Sequence, residues 1–172
     1  ICGSTGNSVY EYSLSSSFDV SSASFVDSFS IASQDTEIRD VAFNTDGTKM
    51  FICGDSNNSI FQYTLSTGFD VSTASYDSVS FSVAAQETAP TGMAFNTDGT
   101  KMFVLGRSGD DVGEYALTTG FDISTASFTD SFSVASQETG PEGIAFNTDG
   151  TKMFIVGEAG DDVNVYTLST GF

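Results

Sequence analysis

Acidic side chains are the groups in this sequence best placed to do chemistry. Gly109-Asp110-Asp111 recurs one unit later as Gly160-Asp161-Asp162. Paired carboxylates beside glycine and backbone carbonyls offer the hard oxygen ligands that Ca²⁺ takes. Asp110, Asp111, Asp161 and Asp162 are therefore the candidate metal ligands. Neither loop has the alternating D-x-D-x-D spacing of a strong calcium motif, and turn chemistry plus solubility is the competing account. No cofactor other than Ca²⁺ is expected. The chain has no His, which removes His-based triads, His metal sites and imidazole acid–base chemistry.

Two further acid sets read as structural. Asp46, Asp98 and Asp149 each precede Gly in a tight turn, with Lys49, Lys101 and Lys152 close enough to screen them. Asp19, Asp70 and Asp122 each follow Phe and precede a Ser/Thr cluster, as an Asx-type turn requires. An active site should break the symmetry of a repeat, and identical acids in every unit do not. Two carboxylates at glycosidase spacing stay open as an alternative. Arg39 and Arg107 are the main departures from symmetry. Tyr10, Tyr12, Tyr63, Tyr115 and Tyr166, with the recurring Phe residues, suit packing between units better than a sugar platform. Cys2 and Cys53 hold one position of successive units, where later copies carry Leu105 and Val156. They read as small core residues, too far apart to bridge.

Twenty-three Asp and Glu against five Lys and Arg give a net charge of −18. Such a surface repels nucleic-acid phosphates and anionic membranes and attracts cations. No apolar run is long enough to span a bilayer, so no membrane insertion is expected. No signal peptide is visible. The chain opens at Ile1 in mid-repeat, as a processed product or a piece of a longer protein would.

The elements that position these groups recur every 51 or 52 residues. The segment Ala42-Phe43-Asn44-Thr45-Asp46-Gly47-Thr48-Lys49-Met50-Phe51 returns unchanged at 94–103 and 145–154. A second marker, Phe-Asp-Val/Ile-Ser-Ser/Thr-Ala-Ser, starts at Phe18, Phe69 and Phe121, and Phe172 opens another. Each period resolves into four strands. Asp-Gly between the first two is a hairpin signal, because the turn needs a positive φ. The second strand is apolar nearly throughout, as burial on both faces demands. The third and fourth alternate, as half-exposed outer strands do. Turn signals are too frequent to leave room for a helix. This pattern predicts an all-β array of four-stranded antiparallel propeller blades. Loops after strands two and four then share a rim carrying eleven of the 23 acids: Asp35, Glu37, Asp55, Glu87, Asp110, Asp111, Glu138, Glu142, Glu158, Asp161 and Asp162.

The Ala-Phe-Asn-Thr-Asp-Gly-Thr-Lys-Met-Phe core resembles the inner hairpin of YVTN and lactonase-like bacterial propeller repeats. The longer pattern, ending Tyr-Thr-Leu-Ser-Thr-Gly-Phe-Asp, is similar to repeats in large proteins of marine bacteria and their phages. The resemblance covers every unit and implies a propeller fold. It carries over no catalytic residue, since one fold hosts many activities.

The units run approximately 1–39, 40–91, 92–142 and 143–172, the first without strand one and the last without strand four. That makes fourteen strands, or about three and a half blades. Such a number closes no ring tidily, so a longer array or self-association is expected over a lone four-bladed ring. The functional expectation is a non-enzymatic structural or binding region of a secreted, cell-surface or virion protein, engaging a protein or glycan. The alternatives are a carboxylate- or metal-dependent hydrolase or lyase on the rim, and a lectin-like binder with one site per blade.

Overall fold

The computed structural model describes residues 1–171; Phe172 and the marker it opens lie outside them. Strands β1 (Cys2–Gly3), β2 (Ser8–Leu14) and β3 (Ala23–Ser30) make the first sheet. The second holds β4 (Ile38–Phe43), β5 (Lys49–Gly54), β6 (Ser59–Leu65) and β7 (Ala74–Ser82). The third holds β8 (Pro90–Phe95), β9 (Lys101–Gly106), β10 (Asp111–Leu117) and β11 (Ala126–Ser133). The fourth holds β12 (Pro141–Phe146), β13 (Lys152–Gly157) and β14 (Val163–Thr167). Every pairing is antiparallel between strands adjacent in sequence. The chain is all-β, and its sheets are the blades of a propeller.

Local chemistry fixes each blade. In the β4–β5 hairpin the N–H of Asn44 donates to the Lys49 carbonyl at 3.1 Å, and Gly47 takes φ +72°. Asp46 Oδ1 accepts the Thr48 N–H at 3.0 Å and its hydroxyl at 2.5 Å. The same bonds recur at Asp98 and Asp149. Threonine, not the following lysine, therefore holds these carboxylates, and Lys101 pairs with Glu114 at 3.2 Å instead. Between strands three and four, Asp19, Asp70 and Asp122 cap one-turn 3₁₀ helices at Val20–Ser22, Val71–Thr73 and Ile123–Thr125. That is the Asx role expected of them.

The unequal period has a structural cause. Strands three and four of each complete pair carry a β-bulge. Opposite Tyr12 and Glu11 the bulge skips one residue, Val26; opposite Tyr63 and Gln62 it skips Asp77 and Ser78. Ser78 sits at φ +58°. The extra residue of the 52-residue unit is thus absorbed in an edge-strand bulge, where an insertion disturbs least.

The core lies in the seams between blades. The first seam packs Val9 and Ile31 on Ile52, Tyr63 and Val71. The second packs Phe51, Cys53 and Ile60 on Met102, Tyr115 and Ile123, and the third sets Leu105 and Val112 against Met153 and Ile155. One edge-to-face pair repeats at all three: Phe29–Tyr63, Phe81–Tyr115 and Phe132–Tyr166, with ring centroids 5.6, 5.4 and 5.4 Å apart. These three tyrosines pack the seams, and burial pushes the Tyr115 hydroxyl up to about 12. Cys53 is buried and both cysteines are free thiols. The first strands of successive blades lie side by side, so β4, β8 and β12 form the inner edge of the arc.

Among the described residues nothing covers the two outer faces of the arc. Val163 is 62% exposed, whereas Val112, its counterpart inside the arc, is 4% exposed. Val20 is 84% exposed, whereas its counterparts Val71 and Ile123 are 2% and 0% exposed.

Candidate functional site

The predicted rim exists, and three of its acids clamp it together. Asp35, Glu87 and Glu138 occupy one position of successive units and are buried. Each lies in the loop from strand four to the next strand one and reaches across to the strand two–three loop. Glu87 accepts the N–H groups of Ser108 and Gly109 at 3.2 and 3.1 Å as well as that of Ala89. Glu138 accepts from Gly140, Ala159 and Gly160 at 2.8, 2.9 and 3.2 Å. Asp35 accepts from Glu37, Ser56 and Asn57 at 2.7, 3.3 and 3.0 Å. The Ala159, Gly140 and Gly160 amides hold the Glu138 carboxyl below the usual carboxylate range. Three amide donors per carboxylate leave little lone-pair capacity for a ligand.

The candidate metal ligands fall in two separate loops. Asp110 and Asp161 take φ +47° and +51°, the left-handed turn position that Asn7 and Asn58 fill in the earlier units. Asn and Asp tolerate that conformation best among side-chain-bearing residues. The Asp110 carbonyl accepts the Val134 N–H at 2.8 Å, while its Oδ1 is buried with no hydrogen-bond partner among the described residues. Burial, then Glu87 and Asp110, raise the Asp111 carboxyl above its ordinary value. Asp162 Oδ1 accepts from Asn164 Nδ2 at 2.9 Å. Among the described residues no three acidic or thiol groups gather around one point as ligands of an ion would.

The two arginines mark where the repeat symmetry breaks. Arg39 Nη2 lies 2.5 Å from Asp55 and 3.4 Å from Glu37. Arg107 crosses the third seam to Glu142, and to Glu158 at 2.9 Å. Both pairs sit where the inner strands meet the rim.

Asp40 is a departure that the spacing of motifs does not disclose. Later units have Gly92 and Gly143 at its position, and that exchange is its only signal in the sequence. Its Oδ2 accepts the Met93 N–H from the neighbouring blade at 2.9 Å, and its Oδ1 accepts the Val41 N–H at 2.8 Å. Burial nonetheless raises its carboxyl above the ordinary value. Asp40 follows Arg39 in β4, but the guanidinium pairs with Asp55 and Glu37.

No protein-family profile matches the chain, and no curated protein does. Solved structures do resemble it. A functionally unknown protein from Desulfotomaculum acetoxidans matches 88% of the chain and 43% of its own length at TM-score 0.62 and 16% identity. A Bacteroides uniformis protein provisionally named a 6-phosphogluconolactonase matches 97% of the chain and 52% of its own length, at TM-score 0.63 and 13% identity. The periplasmic gluconolactonase of Pseudomonas aeruginosa matches 76% and 35% at TM-score 0.57 and 17% identity. A β-propeller domain from Myceliophteria thermophila matches 88% and 46% at TM-score 0.59 and 11% identity. The chain spans about half the length of these proteins or less, and the likeness establishes the propeller fold.

These neighbours correct one expectation. The repeat symmetry and missing histidine argued that the chain is not an enzyme. Proteins named as gluconolactonases carry the same stacked sheets, so neither feature separates this architecture from enzyme-bearing propellers.

Proposed function

We propose that this chain is part of a propeller whose ring is completed by self-association or by further blades of a longer chain, and that its acidic rim is presented to a protein or glycan partner outside the cell, at a cell surface or on a virion. The contrast between Val163 and Val112 carries the reading. Burying one such valine is worth roughly 1.5–3 kcal/mol. Val156, Val163 and Val165 at one end and Phe18, Val20 and Phe25 at the other are all exposed. A head-to-tail pair of chains would bring eight sheets into one ring, within the ordinary range for closed propellers. Light scattering tests this. The expected mass is twice 18.1 kDa, falling to the monomer in Val163→Asp and in Val20→Asp. A monomer at every concentration overturns the self-association. Ca²⁺ at Asp110 and Asp111 belongs to the same reading of the rim, and an unchanged melting temperature in millimolar Ca²⁺ removes it.

A second reading rests on Asp40. This half-buried carboxylate is present in one unit only, as the acid of a single asymmetric rim hydrolase site would be, and lactonase-named proteins share the fold. Lactone hydrolysis lost in Asp40→Gly would support it. No turnover of any sugar lactone by the wild type would sink it.

A further inference from the structure

The loop from strand two to strand three changes its chemistry halfway along the chain. In the first two units it ends in Asn-Ser, as Asn7-Ser8 and Asn58-Ser59, and in the last two in Asp-Asp, as Asp110-Asp111 and Asp161-Asp162. The backbone keeps its shape. Asn7, Asn58 and Asp110 sit at φ +44°, +48° and +47°, and their carbonyls accept the N–H groups of Ile31, Val83 and Val134. Asn7 turns its amide nitrogen to the Ser4 carbonyl at 2.6 Å and, across the seam, to the Thr36 carbonyl at 2.7 Å. Asn58 donates likewise to Asp55 and Thr88 at 2.8 and 2.9 Å. Ser8 and Ser59 donate their hydroxyls to the Gly6 and Asn57 carbonyls at 2.8 and 2.9 Å. All four side chains thus give hydrogens to backbone carbonyls.

Asp110 and Asp111 stand at the same places as acceptors. The counterpart carbonyls are those of Arg107, Thr139 and Gly109, and an ionised carboxylate has no hydrogen to give them. Asp110 Oδ1 is buried with no hydrogen-bond partner among the described residues. The Asp111 carboxylate lies over Gly109, 3.0 to 3.1 Å from the place of a Cβ there. A second buried group points to the same loop. Tyr115 is 0% exposed and its hydroxyl has no partner among the described residues, whereas the Tyr63 and Tyr166 hydroxyls reach Gln34 and Gln137 at 3.3 Å. After burial, the charges of Asp111 and then Glu87 act on the Tyr115 hydroxyl, so it lies beside them.

We infer that Asp110 and Asp111 hold a Ca²⁺ ion at the third seam, in place of the hydrogens that Asn and Ser supply at the first two. Two carboxylates with the Arg107, Gly109 and Thr139 carbonyls make the hard oxygen set that Ca²⁺ takes, whereas Mg²⁺ demands near-octahedral geometry and keeps its waters. The Tyr115 hydroxyl can donate to a water of the ion's shell. The ion ties the loop of the third blade to the segment that leads into the fourth, as the Asn58 amide ties the second blade to the third. This rests on the reading of the rim as a Ca²⁺ surface, and adds the ligands and the role.

Melting temperatures of the full chain in chelator and in millimolar Ca²⁺ test it. The variant is Asp110→Asn/Asp111→Ser, which restores the Asn-Ser of the first two units. Wild type should gain several degrees from Ca²⁺, with a midpoint of roughly 10⁻⁴–10⁻³ M. The variant should melt about 2–4 °C above wild type in chelator, because its donors are restored, and should ignore Ca²⁺. Glu37→Gln/Glu158→Gln removes as much charge from exposed rim positions and should respond as wild type does, which separates a site from screening of the −18 charge. In wild type, Ca²⁺ should slow hydrogen exchange at 107–111 and also at 139–140, across the seam. A wild type unmoved by Ca²⁺ overturns the rim reading and this inference together. A response that survives in Asp110→Asn/Asp111→Ser, slowed exchange confined to 107–111, or a variant less stable than wild type in chelator overturns this inference alone. So does an equal loss of response in Glu37→Gln/Glu158→Gln.

Discussion

Phe121 donates its backbone N–H to the carbonyl of Gly99 at 3.0 Å, and its ring covers the site where a Cβ on Gly99 would stand. Both residues are left-handed, at φ +58° and +72°. A bulky side chain rarely adopts that conformation. The ring is held there by Phe51 and Phe95, 6.3 and 5.6 Å away. Gly99→Ala meets both the positive φ and the ring, and should cost about 2–3 kcal/mol in urea unfolding. Wild-type stability in this variant would show that the turn and the ring can move apart freely.

The buried carboxylate clamps give a second test. Glu87→Ala orphans the amides of Ala89, Ser108 and Gly109. Leaving buried donors unpaired costs about 1–3 kcal/mol, so a loss of at least about 2 kcal/mol is expected in denaturant titration. Glu158→Ala, on the same rim but exposed, should change stability by less than about 0.5 kcal/mol. Equal effects from the two would mean that Glu87 holds no more of the rim than a surface acid does.

Asp40 predicts a pH dependence. Its folded carboxyl is raised by burial. The folded state therefore keeps the proton to higher pH than the unfolded chain does. The unfavourable contribution of its charge is absent below the unfolded value, about 3.9, develops as pH rises from there, and is complete above the folded value. The melting temperature of Asp40→Gly relative to wild type should accordingly be higher at pH 7 than at pH 3.5. A difference that is flat in pH, or of opposite sign, contradicts this.

The Asp98 hairpin should respond the other way. The Thr100 hydroxyl and then its N–H hold the Asp98 carboxyl below its ordinary value. Its stabilising contribution is present above the unfolded value and disappears as pH falls through the folded one. Asp98→Asn should lower the melting temperature at pH 7 and converge on wild type below about pH 3. Failure to converge would assign the effect to shape rather than charge.

The Phe81–Tyr115 contact crosses the second seam edge to face. A double-mutant cycle of Phe81→Leu and Tyr115→Leu should return a coupling of about 0.5–1.5 kcal/mol. Zero coupling would reduce the pair to area burial alone.

The fold was legible because its strongest signals are local. Asp-Gly in an unchanged decapeptide dictates the inner hairpin, and Asp19, Asp70 and Asp122 cap their turns through atoms two residues away. The rim was legible as a place but not as chemistry. An acid in a loop reads the same whether it faces water or three amides, so Glu138 counts in the sequence only as one more rim acid while the structure makes it a clamp. Asp40 escaped notice because a single Gly-to-Asp exchange is faint beside repeated motifs. Across the seams Glu11 Oε2 accepts the Val71 N–H and Gln62 Oε1 accepts the Ile123 N–H, and these bonds escaped because the partners lie 60 and 61 positions apart, beyond any short motif.

The Phe–Tyr seams also make the molecule a natural optical gauge. The chain has six Tyr and no Trp, so its ultraviolet emission arises from tyrosine alone. Tyr63 and Tyr115 are sealed in the first and second seams, whereas Tyr166 stands in the more open third. Replacing one of them at a time by Phe would let emission and near-ultraviolet dichroism watch a chosen blade boundary part, without any added dye.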